Sequence, residues 1–440
     1  MTQPSWLRFL PNGLKRRLSG RPKLWAILQN SGWLLMDRMV RLVLGLMIGA
    51  WVARYLGPAQ YGELVYALAY IAIFQAIASL GLDGTVVREI TNNRDSAHTI
   101  LGTVFALRLG IGFLCWIVAI ASMAWINGPD DQSVVLTALA GSSLVFQAAD
   151  AIDLWFQSQS QSRRTVLAKL VAYAISSGIK VVLILNEAPL VAFAAVIVID
   201  GLTAAFGLAV AYKRLPCDNR WQRTYSTACS LLSESWSFIV AGLSVMIYMR
   251  IDQIMIKEML GPKELGIYAA VLPLATLWQF IPMLLNTSLA PFVAQKKMEG
   301  EKAYWDTLQK LFKIYALLGW IVCIPTVLFS HMAISVLYGD EYKDGAIVLC
   351  IYVFTNIAIN MGVAQGLWLL NERKPIVNLM KTLIGAVIAI IGNWLVIPYW
   401  GLNGVAMVAV MAMLTSAIFS NYFFSKDILF LQIKSLFFVK

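Results

Sequence analysis

Apolar residues run along this chain in stretches of about 20, the length of a helix that crosses a hydrocarbon core. Polar residues collect in the gaps between them. Twelve such stretches predict twelve membrane-spanning helices, at 33–54, 63–82, 101–126, 134–156, 166–186, 189–211, 234–256, 267–292, 311–330, 346–370, 376–397 and 402–424. The alternating ten-residue segments of a transmembrane barrel are absent from the pattern. The expected fold is therefore an all-α membrane protein with twelve transmembrane helices. The gap at 212–233 is the longest that divides six spans from six. It is polar and basic, and it reads as a cytoplasmic linker and hinge between two lobes. The expected order is an N-tail at 1–32, an N-lobe at 33–211, the linker at 212–233, a C-lobe at 234–424 and a C-tail at 425–440.

A repeat supports the division into lobes. Leu56-Gly57-Pro58-x-x-x-Gly62 ends span 1 and opens span 2, and Leu260-Gly261-Pro262-x-x-x-Gly266 does the same for spans 7 and 8. Set against each other at an offset of 204, residues 56–82 and 260–286 share eight identities in 27 positions, Gln75 with Gln279 among them. Matches at leucine mean little in apolar sequence; the Gly-Pro-x-x-x-Gly turn and the glutamine mean more. Six spans separate the copies, so both cross in one direction. The halves are expected to be related by a pseudo-two-fold axis along the membrane normal, a parallel repeat.

Composition agrees with the membrane reading. Charged residues are 13% of the 440, about half the share of an ordinary soluble protein, and the mean hydropathy is +0.70. The formal charge of +11 would suggest nucleic acid in a soluble chain; here the basic residues report topology. With the N-terminus inside, 23 of the 35 Lys and Arg fall in cytoplasmic segments. Only Arg54, Lys257, Lys263 and Lys343 fall outside. That asymmetry puts both termini in the cytoplasm. Arg8, Lys15, Arg16, Arg17, Arg21 and Lys23, interleaved with Trp6, Phe9 and leucines, suggest a short helix on the inner leaflet rather than a cleaved signal. The five cysteines and two histidines form no metal-ligand spacing.

Charges deep in a span are costly, so they face a cavity or a partner. In span 1, Asp37 and Arg41 stand four apart and can pair on one face. Arg38 and Arg41 together read as one wall of a cationic cavity. Arg250 in span 7 lies about 10 Å from the outer end at 1.5 Å per residue and is a second cavity candidate, with Lys180 in span 5 a weaker one. Arg250 and Asp252 are two apart and do not pair locally. Asp150 and Asp153 share a face of span 4, and Asp200 is near the middle of span 6. These carboxylates, with Asp37 and Asp252, read either as charge balance for the arginines or as protonatable, cation-binding groups. Lys169, Lys313 and Lys381 lie near cytoplasmic ends and are expected to snorkel; Arg108 is deeper and ambiguous. Pro273 and Pro282 in span 8 each remove a backbone hydrogen bond and mark a hinge or kink; Pro291 need only end that helix. No phosphate-binding loop, nucleophile elbow or zinc motif is present, so no catalytic residue, metal or cofactor is expected. Work must come from a gradient or from the substrate's own concentration difference.

The segment RYLGPAQYGELVYALAYIAIFQAIASLGLDGTVVREI, Arg54 to Ile90, resembles the opening of the polysaccharide transporter family. These are lipid-linked oligosaccharide (O-antigen repeat unit) flippases of the multidrug/oligosaccharidyl-lipid/polysaccharide exporter superfamily. RIDQIMIKEMLGPKELGIYAA, from Arg250, resembles the start of that family's second half, and GNWLVIPYWGLNGVAMV, from Gly392, its last helical pair. The resemblance implies a transporter in the bacterial inner membrane that moves undecaprenyl-diphosphate-linked oligosaccharide between leaflets, the cavity arginines holding the diphosphate or acidic sugars. It implies H+ or Na+ as coupling ion, and a polysaccharide polymerase and chain-length regulator as partners; no nucleic acid is implied. Two other readings share the architecture, a lipid II flippase and a multidrug or cation antiporter, the latter favouring an acidic cavity. A membrane glycan polymerase would need a large outer loop, which the chain lacks.

Overall fold

The computed structural model describes residues 22–214 and 221–438. Residues 1–21, where the basic N-tail helix is expected, and 215–220 of the linker lie outside them. Among the described residues every regular element is helical, and ten helices are long and apolar enough to cross a membrane. Two of the ten are folded: helical geometry fails at Gly57 (φ 71°) and at Gly401 (φ 52°). Counting each as a pair gives twelve spans.

The fold-back at Gly401 shows in the packing. An added Cβ at Gly385 would touch Ser416, and one at Gly392 would press on Val408. The two pairs have almost the same sum of residue numbers, as an antiparallel hairpin requires. Residues with positive φ, Gly57, Gly128, Glu187, Gly261, Gly339 and Gly401, end each odd-numbered span. Five of the six are glycine, which adopts that geometry without the Cβ penalty.

Four spans are interrupted. Span 4 is Gln132–Phe146 and Asp150–Ser158 with one tighter turn, Gln147–Ala149, between. Span 8 is Pro262–Thr276 and Phe280–Glu299, joined by Leu277–Gln279. The break lies between Pro273, which cannot donate back along the helix, and Pro282. Span 10 breaks between Tyr352 and Thr355. Span 12 widens to a π-helical turn at Thr415–Phe419.

The chain forms two compact units, one of residues 1–45 and 74–243 and one of 46–73 and 244–440. In the first unit a core of Leu82, Val86, Ile90, Leu101, Val104 and Leu154 packs under the short helix Asp83–Asn92. Arg108 is 1% exposed. It reaches Asp83 Oδ1 at 2.5 Å and the Ser79 carbonyl at 3.2 Å, so it is a buttress for the turn after span 2. Residues 221–224 of the expected linker are bonded to this unit. The Trp221 indole donates to the Tyr212 hydroxyl at 2.9 Å, and the Thr224 amide to Thr103 Oγ1 at 3.2 Å. From Tyr225 the chain is already the helix of span 7.

In the second unit the two copies of the repeated turn meet. An added Cβ at Gly62 would overlap the Pro262 carbonyl, and one at Gly266 would overlap the Pro58 carbonyl. The contact is reciprocal, as the internal symmetry demands. Small residues at helix crossings are how membrane helices associate, because lipid supplies no hydrophobic drive between them. Beside this crossing Tyr66 donates to Glu258 at 2.7 Å, and the Tyr342 hydroxyl donates to the Ala53 carbonyl at 2.7 Å.

Candidate functional site

The first unit contains an open cavity of about 410 Å³. Span 1 contributes Asp37 and Arg41 to its wall, span 2 Gln75, span 4 Asp150, span 5 Lys169 and span 6 Asp200. Five helices thus direct ionisable or amide side chains to one place, where a lone charge would be costly.

Each cation in this wall is held. Arg41 Nε bonds Asp37 Oδ1 at 2.9 Å, the i,i+4 pair expected from spacing. The Arg41 guanidinium also lies 5.0 Å from the Tyr173 ring centre. Lys169 sits between two carboxylates, 2.9 Å from Asp150 and 2.7 Å from Asp153. The acid pair of span 4 therefore balances Lys169, not the arginines across the lobe. Lys169 does not snorkel to the membrane surface; it is a wall residue. Asp200 Oδ1 is buried with no hydrogen-bond partner among the described residues, as is Asp153 Oδ1, but Asp153 is tied to Lys169 through its other oxygen. Lys180 is half-buried and lies within the field of Asp200, outside the cavity lining. Arg38 is exposed and also outside this lining.

The second unit has a smaller cavity of about 110 Å³, lined by Asp252, Gln279, Tyr352 and Asn393. Asp252 accepts from the Tyr268 hydroxyl at 2.5 Å and from the Gln253 amide at 2.8 Å. Gln279 is the repeat partner of Gln75, so the matched glutamines line a cavity in each half. Arg250 is half-buried, 3.5 Å from Gln253 Oε1, with its Nε buried and unpartnered among the described residues. Pro273 and Pro282 flank the tight turn that carries Gln279.

Lys381 is the residue whose surroundings depart furthest from the sequence reading. It is 5% exposed, not snorkelling. Its ammonium donates to Gln365 Oε1, to the Ala417 carbonyl at 3.2 Å and to Asn421 Oδ1 at 3.2 Å. Each lysine stands six residues after the start of its helix, Lys169 after Arg163 in span 5 and Lys381 after Pro375 in span 11, and each meets a polar side chain 16 residues earlier, Asp153 and Gln365. The two lysines thus hold corresponding positions in the two halves.

The profile of a family described as polysaccharide biosynthesis protein matches residues 27–297, and a profile described as MatE matches 238–395. A Staphylococcus aureus protein described as capsular polysaccharide biosynthesis protein CapF is 21% identical over 379 residues, 84% of this chain and 92% of that one. The fold is that of an inward-facing multidrug resistance MATE family transporter of the MOP superfamily. The two superpose with a TM-score of 0.71 at 15% identity, over 92% of this chain and 99% of the other. Lipid II flippase MurJ in an inward closed conformation gives 0.70 at 13% identity, over 92% and 90%.

Proposed function

The chain belongs to the polysaccharide biosynthesis protein family, polysaccharide transporters of the exporter superfamily named above, and from that premise we propose that it flips undecaprenyl-diphosphate-linked oligosaccharide repeat units from the inner to the outer leaflet of the bacterial inner membrane. The two lobes would expose the substrate alternately to either side, and an H+ or Na+ gradient would drive the cycle. The observation that carries this reading is the convergence of Asp37, Arg41, Gln75, Asp150, Lys169 and Asp200 on one cavity inside a lobe that faces lipid. Ionisable groups gathered at that depth mark a substrate or ion pathway.

In this reading Arg38, Arg41, Arg250 and Lys180 supply positive charge to the path of the diphosphate. Their long side chains move between carboxylate and phosphate partners as access changes. Asp200 is the carboxylate we assign to ion exchange, because its Oδ1 is buried without a protein donor and, unlike Asp153, it is not paired with a lysine. Asp252, held by Tyr268, is the corresponding group of the C-lobe. A polymerase and a chain-length regulator would receive the product outside.

Arg38→Ala, Arg41→Ala or Arg250→Ala should reduce surface polysaccharide by roughly tenfold or more, the loss expected when a charged partner is removed, with insertion in the membrane unchanged. Lysine at these positions should be milder, since a point charge still attracts phosphate. Normal surface glycan in all three alanine variants would overturn the assignment. One observation favours a second reading, a multidrug or cation antiporter: three carboxylates against two cations line the larger cavity. The two readings separate on glycan display and drug resistance in a deletion strain.

A further inference from the structure

The two corresponding lysines have different company, and the difference marks a site. Lys169 is neutralised by Asp150 and Asp153. Where the N-lobe has Asp153, the C-lobe has Gln365. All the groups that Lys381 bonds, Gln365, Asn421 and the Ala417 carbonyl, are uncharged. Among the described residues no carboxylate lies within ion-pair distance of it. A buried ammonium held by dipoles alone is costly in a low-dielectric surrounding unless a counter-charge can come close.

The structure leaves room for one. Lys381 lines a separate cavity of about 250 Å³ in the second unit. Tyr248, Gln365, Asn378, Thr382 and Ser416 also line it, and no carboxylate does. The Thr382 and Ser416 hydroxyls donate to the Asn378 and Lys381 carbonyls, and can turn from them to an anion. The ammonium cannot wander: Asn421 is itself bonded to Gln432, and Gln365 to Asn421, so a buried polar network fixes it. The cavity is smaller than the range of drug-sized pockets. It admits a phosphate, diphosphate or sugar carboxylate, not an oligosaccharide.

We propose that this C-lobe cavity is an anion subsite that takes the diphosphate of the lipid-linked substrate, with Lys381 supplying the charge, Asn378 an amide donor, and the Thr382 and Ser416 hydroxyls turning from their carbonyl partners to the anion. The N-lobe cavity, acid-rich and internally paired, then takes the sugar or the coupling ion. The inference rests on the flippase reading for the identity of the anion, and on this chain's own residues for the site. Lys381 lies within two turns of the start of span 11, at Pro375. The charge pattern puts that end on the cytoplasmic side, where a lipid diphosphate arrives.

The test is ligand-induced stabilisation of the purified full-length protein, with inorganic diphosphate and with farnesyl diphosphate in detergent as separate arms. Wild type should be stabilised in a saturable way. Stabilisation by the prenyl form alone would identify a lipid headgroup as source, and by both a diphosphate site open to either. Lys381→Met should weaken the response roughly tenfold or more. If that variant fails to fold, Gln365→Glu is the second probe. It places beside Lys381 the carboxylate that Lys169 already has, so the fold should persist while the response is lost. A response unchanged in both Lys381→Met and Gln365→Glu, or absent from wild type in both arms, would overturn the subsite. A response lost in these variants while a deletion strain displays normal surface glycan would keep the subsite and sink the flippase reading.

Discussion

Lys169 holds Asp150 and Asp153 at 2.9 and 2.7 Å. Without it, two carboxylates one turn apart would face each other in a lipid-embedded lobe. Removing one partner of a buried ion pair typically costs 3–5 kcal/mol. The Lys169 side chain is 26% exposed, so the lower end applies. Lys169→Met should cost about 3 kcal/mol, read as a fall of several degrees in the unfolding temperature of the purified protein. Asp153→Asn should cost less, because Asp150 still pairs with the lysine. Equal unfolding temperatures for wild type and Lys169→Met would show that the triad is not a stabilising cluster. This geometry was only partly legible beforehand. The i,i+4 pair of Asp37 and Arg41 follows from spacing along one helix. The Lys169 triad joins two helices, and depth along a span does not reveal which face a residue presents. Snorkelling is the default for a lysine near a helix end, and a facing carboxylate or amide overrides it.

The repeated Gly-Pro-x-x-x-Gly turn was legible as an element, and its partner was not. Sequence identifies two copies; it does not say that they pack on each other. Gly62 lies against the Pro262 carbonyl and Gly266 against the Pro58 carbonyl. An exposed helical glycine replaced by alanine normally gains about 1 kcal/mol. Here the sign should reverse, because each new methyl overlaps a backbone oxygen that cannot swing away. Gly62→Ala and Gly266→Ala should each destabilise the protein. The double variant should cost less than the sum, since the first substitution already separates the helices that the second would disturb. Thermal unfolding of the four proteins of this cycle measures the coupling; additive losses would mean the two contacts are independent. Interruptions within spans were legible only where proline causes them. The turn at Leu277–Gln279 lies between two prolines, whereas the π-helical turn at Thr415–Phe419 has no proline within it.

The same contact sets a requirement on the whole molecule. Residues 46–73 come from the first repeat but pack with the second, through the Gly–Pro crossing and the Tyr66–Glu258 hydrogen bond of 2.7 Å. Lys257 adds its ammonium 4.4 Å from the Tyr66 ring centre. On the orientation expected from the positive-inside pattern, this end of spans 1, 2, 7 and 8 faces outward. Under alternating access, a substrate leaving outward must part the two turns. A hydrogen bond to a charged group contributes roughly 1.5–3 kcal/mol. That is strong enough to hold a closed state and weak enough for differential substrate binding to open it. Tyr66→Cys with Glu258→Cys, in a chain whose five native cysteines are replaced, should therefore be locked by a short bifunctional thiol reagent. Surface polysaccharide assembly should stop on cross-linking and return when a cleavable link is reduced, while each single cysteine is unaffected by the reagent. Full assembly with the link in place would mean that these turns stay together through transport, and the opening would then have to lie elsewhere between the repeats.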